Sequence, residues 1–338
     1  MINMENKKTG MIVFVVLIVV AVFLSLIRGW SRPETVDNPI SKSLLERSEK
    51  KLGIFSGNED LKEYHNPGQA YIARLHIKGT IQEESEHYNQ KWLISTIDDL
   101  QYDEDNVGII LDVDSPGGTV FEADEAYLRL LEYAEEKPVY AYLESLAASG
   151  GYYISCAASH ITANRNTLTG SIGVIAGQSV DLTGLMEKYG VKVETFHSGR
   201  NKVMGNYSEP LTDEQREIMQ SISDECYEQF VGIVAKSRKM KIDAVKELAD
   251  GRVYTANQAK KNGLVDAIGT WDEALTYMEN ECFDGEEIFV EDFEYEPEMN
   301  FYRYFMGTRM KSAVEVLPEA VEKVVNPKLK YPAFIWEQ

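Results

Sequence analysis

The sequence predicts an α/β fold with a mainly parallel sheet made of βαβ units. From residue 70 onwards, short apolar segments of strand length alternate with amphipathic segments of helical length, which is typical of parallel strands joined by helices. Residues 107–113 are predominantly apolar, as expected for a strand that is buried on both faces of a sheet. Glycine-bearing turns follow several of these segments and let the backbone turn sharply where a strand ends.

The individual elements follow from the spacing of the apolar residues. Apolar runs and alternating patterns predict strands at 71–77, 107–113, 138–143, around 161 and at 191–196. Apolar residues at helical spacing predict helices at 92–100, 121–133 and 149–158. Thr212 and Gln215 are spaced as a capping box, which predicts the start of a further, long helix.

The N-terminal segment differs from the rest of the chain. Residues 11–27 are apolar apart from Ser25, and Lys7, Lys8 and Arg28 flank them. A run of this length is at the lower limit for a helix that crosses a bilayer core of about 30 Å. The residues that follow lack the small-residue site of a cleaved signal peptide. We therefore expect a retained transmembrane anchor in the lipid bilayer, with the basic N-terminus in the cytoplasm and the body outside.

This interpretation divides the chain into five parts. In chain order they are a cytoplasmic N-terminus at 1–9, the transmembrane anchor at 10–30, a polar juxtamembrane stalk at 31–69, the α/β domain at 70–285 and a C-terminal extension at 286–338. The C-terminal extension is rich in aromatic and acidic residues and gives no clear periodicity.

Charge and cysteine content exclude several functions. The formal net charge is −21, and so acidic a chain argues against nucleic acid as a partner because phosphate binding needs basic residues. Cys156, Cys226 and Cys282 are far apart and odd in number, which argues against a disulfide framework or a zinc site. The sequence predicts no cofactor and no metal ion.

Three glycine-bearing turns carry the candidate chemistry, at residues 114–118, 149–151 and 169–173. In a parallel α/β sheet, loops at the carboxyl ends of the strands converge on one crevice. Ser149 stands at the start of a predicted helix, where free N–H groups stabilise negative charge. Acyl transfer needs such a nucleophile, a base and N–H donors for the oxyanion. The alternatives are an ordinary helix N-cap for Ser149 and an ordinary turn for Gly117.

The candidate base is a lysine. None of the five histidines lies between residues 161 and 196, just downstream of Ser149. A lysine acts as a base only when it is neutral, which burial away from carboxylates favours. Lys202 has no Asp or Glu between Thr195 and Ser208, although the chain as a whole is acidic. The alternative is that Lys202 is a solvated surface charge.

Together, these segments resemble the signal peptide peptidase A family, the membrane-anchored Ser/Lys peptidases of bacteria in the Clp-protease/crotonase superfamily. They cover most of residues 70–275 in the family's order, and the chain is similar to the short, single-copy type of Gram-positive bacteria. Besides the N-terminal anchor, the matching motifs are Asp114-Ser-Pro-Gly-Gly118, Ser149-Gly-Gly-Tyr152, Gly170-Ser-Ile-Gly-Val174, Lys202, Gly251-Arg-Val-Tyr-Thr255 and Gly263-Leu-Val-Asp266.

The resemblance implies a role for each site residue. Ser149 would be the nucleophile and Lys202 the general base, and Ser171 would hydrogen-bond to the lysine and orient it. The N–H groups of Gly117 and Gly150 would form the oxyanion hole. The resemblance leaves open whether the N–H of an adjacent residue contributes instead. The α/β domain would then be a Ser/Lys peptidase domain with a crotonase/Clp-protease-like fold.

The resemblance also implies partners and a location. The substrates would be remnant signal peptides and other hydrophobic or unfolded peptides, cut on the outer side of the cell membrane. Family members are homo-oligomers in which neighbouring subunits can share one active site. Residues 331–336 are apolar, and we expect either that they enter the active-site groove as a strand-like ligand or that they dock on their own domain.

Two other functions remain open at this point. One is a catalytically inert crotonase-like protein that serves as a membrane scaffold. The other is a crotonase-type acyl-CoA enzyme, against which the predicted anchor and the acidity both argue, because CoA phosphates favour basic surroundings.

Overall fold

A computed structural model describes residues 64–297 and 333–335. Within these ranges, no helix is both long and apolar enough to cross a membrane. The predicted anchor at 10–30, the predicted cytoplasmic residues 1–9 and most of the predicted stalk at 31–69 lie outside the described residues.

A mostly parallel sheet forms the centre of the molecule, as predicted. Its order is β7–β6–β4–β2–β1–β9, with β5 beside β4 and β8 beside β5, and β3 and β10 form a separate pair. Within the described part of the large sheet, only the pairing of β6 with β7 is antiparallel. The strands are β1 (Tyr71–Lys78), β2 (Asn106–Ser115), β3 (Gly117–Thr119), β4 (Val139–Ala148), β5 (His160–Ala163), β6 (Leu168–Gly170), β7 (Val253–Thr255), β8 (Ala267–Ile268), β9 (Phe289–Phe293) and β10 (Ala333–Ile335).

Helices connect the strands and cover the sheet. Polar caps fix several of their starts: the side chain of Asn89 accepts the N–H of Trp92, and Thr212 and Gln215 form the predicted capping box. The helices are α1 (Gln90–Tyr102), α2 (Val120–Tyr133), α3 (Gly150–Ser155), α4 (Thr183–Lys188), α5 (Asp213–Ser237), α6 (Ile242–Leu248), α7 (Ala256–Lys261) and α8 (Trp271–Cys282).

The order of the central strands determines where the turns of the site meet. β2 and β4 run parallel and side by side, and β6 lies on the far side of β4. Their carboxyl ends therefore lie at one edge of the sheet, where β2 leads into β3, β4 leads into α3, and β6 leads into Ser171. This is the edge at which open α/β sheets bind ligands.

One predicted strand is absent. Residues 191–196 have alternating apolar side chains, but the structure contains no strand there, and these residues are exposed. A strand needs a neighbouring edge to satisfy its N–H and C=O groups, and no described segment of the chain provides one. In the C-terminal extension, by contrast, the sequence showed no clear periodicity but the structure contains a strand. This strand, β9, pairs in parallel with β1 and forms an edge of the sheet.

A charged cluster occupies the sheet face that α8 partly covers. Asp112 on β2 is fully buried and accepts a 2.7 Å hydrogen bond from Nε of Arg74 on β1. The guanidinium of Arg74 lies over the ring of Trp271, 4.0 Å from its centroid. His76 lies between two carboxylates, 2.8 Å from Oδ1 of Asp292 and 3.4 Å from Oδ2 of Asp112. Burial raises the pKa of the Asp112 carboxyl to about 7.

This raised pKa makes the stability of the fold depend on pH. A carboxyl that holds its proton more tightly in the folded state contributes stability below its unfolded pKa of about 4, and this contribution is lost as the pH rises to about 7. We expect the free energy of unfolding of Asp112→Asn, relative to wild type, to rise between pH 4 and pH 8. Urea denaturation of both proteins across this range measures the difference, and a difference that stays constant with pH would contradict the assignment.

Candidate active site

The structure brings the three predicted turns together at the carboxyl edge of the sheet. The backbone N–H of Ser149, after β4, donates a 2.8 Å hydrogen bond to the carbonyl of Gly170, after β6. On the other side, a Cβ at Gly151 would stand 3.0 Å from the carbonyl oxygen of Ser115, so α3 packs closely against the end of β2. Ser149 therefore lies between the end of β2 and the end of β6.

The backbone of Ser149 is strained and its hydroxyl is buried. Its φ is 55° and its ψ is −115°, a conformation that non-glycine residues rarely adopt and that is concentrated at functional sites. The residue is 1% exposed, and its Oγ has no hydrogen-bond partner among the described residues. The hydroxyl does not cap α3 either, so the N-cap interpretation of Ser149 fails.

The predicted donor Gly117 has its N–H engaged elsewhere. This N–H donates a 3.1 Å hydrogen bond to Oγ of Ser115, and the hydroxyl of Ser115 in turn donates to the carbonyl of Gly79 at 2.6 Å. Gly117 has a φ of 98°, which lies in the region that favours glycine. The hydroxyl of Ser115 thus fixes the turn between β2 and β3.

The next residue, Gly118, presents its amide to the side of β3 that faces away from Ile81. The carbonyl of Gly117 accepts from Ile81 N at 2.9 Å, and the N–H of Thr119 donates to Ile81 O at 2.8 Å. Because the polar groups of successive strand residues point to opposite sides, the N–H and C=O of Gly118 face away from Ile81. Sequence reasoning missed this donor, although the paired glycines at 117 and 118 left the choice open.

The side of β3 that faces away from Ile81 is occupied by β10. The pairing is antiparallel, with Ile335 opposite Gly117, Phe334 opposite Gly118 and Ala333 opposite Thr119. β10 also lies beside the helices α2 and α3. The C-terminal strand therefore lies in the crevice between β3 and the helix that follows Ser149, a position that fits both a strand-like ligand and a segment docked on its own domain.

Ser171 lies directly beyond the Gly170 carbonyl that binds the Ser149 N–H. Its own N–H donates a 2.9 Å hydrogen bond to the carbonyl of Arg252. Like Ser149 it has a positive φ, 48°, and it is 5% exposed. Ser171 also lines a cavity of about 510 Å³, whose wall includes Asp224 and Asp250.

A single chain does not bring Lys202 to Ser149. Lys202 lies on the surface in a series of turns, where its backbone N–H donates to the carbonyl of Gly199 at 3.0 Å. No hydrogen bond or ion pair joins its ammonium group to another described residue, and the hydroxyl of Ser149 has no partner. Either the two residues meet only when a second copy is present, or Lys202 is a surface charge.

No described histidine bonds to the hydroxyl of Ser149. His160 is stacked between the rings of Tyr140 and Tyr277, with centroid distances of 5.6 and 4.0 Å. The ring of His197 contacts only a nearby backbone carbonyl, 3.1 Å away at Gly199. Neither ring bonds to the hydroxyl of Ser149, which is unpartnered among the described residues.

The arrangement has most of what acyl transfer requires. A buried hydroxyl lies at the start of α3, where Gly150 is the first helical residue and its N–H has no partner within the helix. The amide of Gly118 faces the same crevice from β3. Two N–H groups beside a serine could hold the oxyanion of a tetrahedral intermediate. The missing part is a base.

Comparisons with known proteins connect this site to peptidases. The chain matches the model of peptidase family S49 over residues 132–282, a range that includes Ser149 and Lys202. A protein of Enterococcus faecium described as a signal peptide peptidase SppA is 34% identical over 276 residues, which cover 78% of this chain and 78% of that protein. The chloroplastic serine protease SPPA of Arabidopsis thaliana is 34% identical over 225 residues, covering 66% of this chain and 32% of that protein. Among solved structures, a ClpP1 mutant of Listeria monocytogenes superposes with a TM-score of 0.39 and 17% identity, over 59% of this chain and 92% of that chain.

Proposed function

We propose that this chain, which belongs to peptidase family S49, is a membrane-anchored serine endopeptidase that uses a Ser/Lys dyad. It would degrade remnant signal peptides and other hydrophobic or unfolded peptides outside the cytoplasmic membrane, where residues 10–30 would hold it. The observation that carries the proposal is Ser149, a strained and buried serine whose hydroxyl has no structural task. Such a group costs stability, and groups of this kind are concentrated at functional sites.

The proposed reaction assigns one step to each group. The neutral amine of Lys202 accepts the hydroxyl proton of Ser149 while Oγ bonds to the carbonyl carbon of the peptide. The N–H groups of Gly118 and Gly150 stabilise the oxyanion. The C–N bond then breaks, and the lysine gives its proton to the departing amine. Water attacks the acyl-enzyme by the same proton route and releases the second product.

The proposal takes Gly118 rather than Gly117 as the donor from β3. The N–H of Gly117 is bonded to Ser115, whereas the amide of Gly118 faces the crevice. Ser171 would bond to the lysine amine and orient it. Its strained backbone and its position next to the Gly170 carbonyl support this role.

An extended peptide would bind where β10 lies. β10 adds a strand to the edge of β3 that faces away from Ile81, which is how many peptide-binding proteins hold extended ligands. Backbone hydrogen bonds do not depend on side chains, so this mode of binding suits a peptidase that accepts many unfolded sequences.

We propose that the base comes from a second copy. The segment at residues 175–207, the arm, exposes many apolar side chains, and the aromatic ring of Phe196 is 90% exposed. The arm has four basic and three acidic residues, whereas the whole chain has a net charge of −21. An apolar, slightly basic arm suits the acidic body of another copy, and docking there would bury Lys202 away from water.

Mixing two inactive variants tests the shared site. Ser149→Ala and Lys202→Ala should each lower peptide cleavage by about 10³-fold or more. Co-expressed together, they should regain activity, because about a quarter of randomly mixed sites would hold an intact serine from one copy and an intact lysine from another. Cleavage of a fluorogenic peptide by the co-purified chains measures the recovery.

The control replaces one of the two chains with a double variant, which carries both Ser149→Ala and Lys202→Ala. Co-expression of this chain with either single variant should restore nothing. A Lys202→Ala protein with full activity would overturn the dyad. Inactive single variants without any recovery in the mixture would instead place both residues in one copy.

A further inference from the structure

We infer that Phe121 is a specificity-determining residue of the peptide-binding site. It receives the apolar side chain of the peptide residue that lies three positions before the one opposite Gly118. The inference rests on the proposed function and specifies which peptides the site prefers. Two observations support it, namely the register of β10 on β3 and the exposure of one face of α2.

The register fixes the direction in which a peptide crosses the site. β10 runs antiparallel to β3, so its earlier residues lie opposite later residues of β3: Phe334 faces Gly118 and Ala333 faces Thr119. If Gly118 N–H holds the carbonyl of the bond that is cut, the N-terminal part of the peptide runs from Gly118 towards Thr119 and beyond. The third residue upstream then lies about 10 Å from the residue opposite Gly118, past the end of β3 and beside the first turn of α2, which contains Phe121.

The chain at this position presents an aromatic ring to solvent. β3 ends at Thr119 and α2 begins at Val120, so Phe121 lies in the first turn of the helix. Its side chain is 62% exposed, although β10 lies beside the same helix. Seven residues later, on the same face of α2, Leu128 is 45% exposed. Phe121 is thus the first largely exposed apolar side chain after the end of β3.

Exposure of a large aromatic ring next to a strand-binding edge favours an apolar ligand. Covering such a ring removes apolar surface from water, whereas a charged or polar side chain would gain little from the contact. The contact is distant from the reacting bond and is made equally in the ground state and the transition state. It should therefore act on KM and leave kcat nearly unchanged.

The test compares two peptides that differ at one position only, the third residue before the one whose carbonyl is attacked. This position is leucine in one peptide and serine in the other. Mass spectrometry of the products first fixes the cleaved bond. For the full-length protein, we expect kcat/KM to favour the leucine peptide by about 10-fold or more. Phe121→Ala should reduce this preference to about twofold or less through a rise in KM for the leucine peptide, while Phe121→Leu should keep most of it.

Tyr102→Ala is the matched control, because Tyr102 is another exposed aromatic residue, at the end of α1 and 83% exposed. This variant should keep the full preference. Phe121→Ala with an undiminished preference, or a loss in kcat rather than in KM, would overturn the inference.

A binding measurement separates this inference from the proposed function. Fluorescence anisotropy of the two labelled peptides on Ser149→Ala, with and without Phe121→Ala, reports the preference without catalysis. A preference in binding that depends on Phe121 supports the inference, even if the wild-type protein cleaves no peptide and the proposed function fails. Equal binding of both peptides would overturn the inference, even if the protein is an active peptidase.

Discussion

Ser149→Ala is expected to lower kcat/KM for peptide cleavage by about 10³-fold or more, with the fold intact. The substitution removes the attacking oxygen and changes nothing else in the described contacts, because this hydroxyl has no hydrogen-bond partner. Steady-state cleavage of a fluorogenic peptide measures the loss, and circular dichroism with urea denaturation checks the fold.

Ser155→Ala is the matched control, because it removes another buried serine hydroxyl from the same helix. That hydroxyl donates a 2.8 Å hydrogen bond to the carbonyl of Gly151. The control should keep its activity and lose about 1 kcal/mol of stability. A Ser149→Ala protein as active as this control would show that another residue is the nucleophile.

The stability of Ser149→Ala gives a second, independent expectation. A buried hydroxyl without a partner costs free energy, so its removal should stabilise the fold by about 1 kcal/mol. In the proposed assembly, however, the amine of Lys202 would bond to this hydroxyl. The double variant is therefore compared with Lys202→Ala alone. Without the lysine amine, no lost hydrogen bond offsets the expected rise in the free energy of unfolding. A fall in this comparison would mean that the hydroxyl has a partner in the folded protein.

The sequence predicted those parts of the site that depend on local structure. Apolar runs of strand length predicted β2 and β4, and the glycine pairs after them marked the turns at their carboxyl ends. Ser149 could be singled out because a serine before two glycines at a strand-to-helix junction is a local pattern. Its positive φ and buried hydroxyl confirm that the junction is unusual.

The parts that sequence reasoning missed depend on contacts between distant segments. Gly118 faces the crevice only because Ile81, from the loop after β1, bonds to the opposite side of β3. The alternating pattern at 191–196 predicted a strand, but strand formation needs a neighbouring edge that the described chain does not supply. Lys202 lies in an exposed turn in one copy, and its proposed role depends on a second copy.

Gly118→Ala is expected to lower the free energy of unfolding by several kcal/mol and to abolish cleavage. A Cβ at this position would stand 1.7 Å from the carbonyl oxygen of Ile81 and 2.5 Å from its carbonyl carbon. Both atoms are backbone, and hydrogen bonds of 2.9 and 2.8 Å hold the Ile81 segment to Gly117 and Thr119. The clash cannot be relieved by a side-chain rotation, so β3 must separate from Ile81. Overpacking of this kind costs about 1–3 kcal/mol and more where the backbone must shift.

The same substitution at Gly232 should have the opposite effect. Gly232 lies in the interior of α5, and nothing lies within 4 Å of the Cβ it would gain. Alanine there should raise the free energy of unfolding by up to about 1 kcal/mol, because glycine is a poor helix former. Urea denaturation and peptide cleavage of both variants give the comparison. A stable Gly118→Ala protein with normal cleavage would show that β3 does not lie against Ile81, and the amide of Gly118 would then lose the orientation on which the proposed oxyanion hole depends.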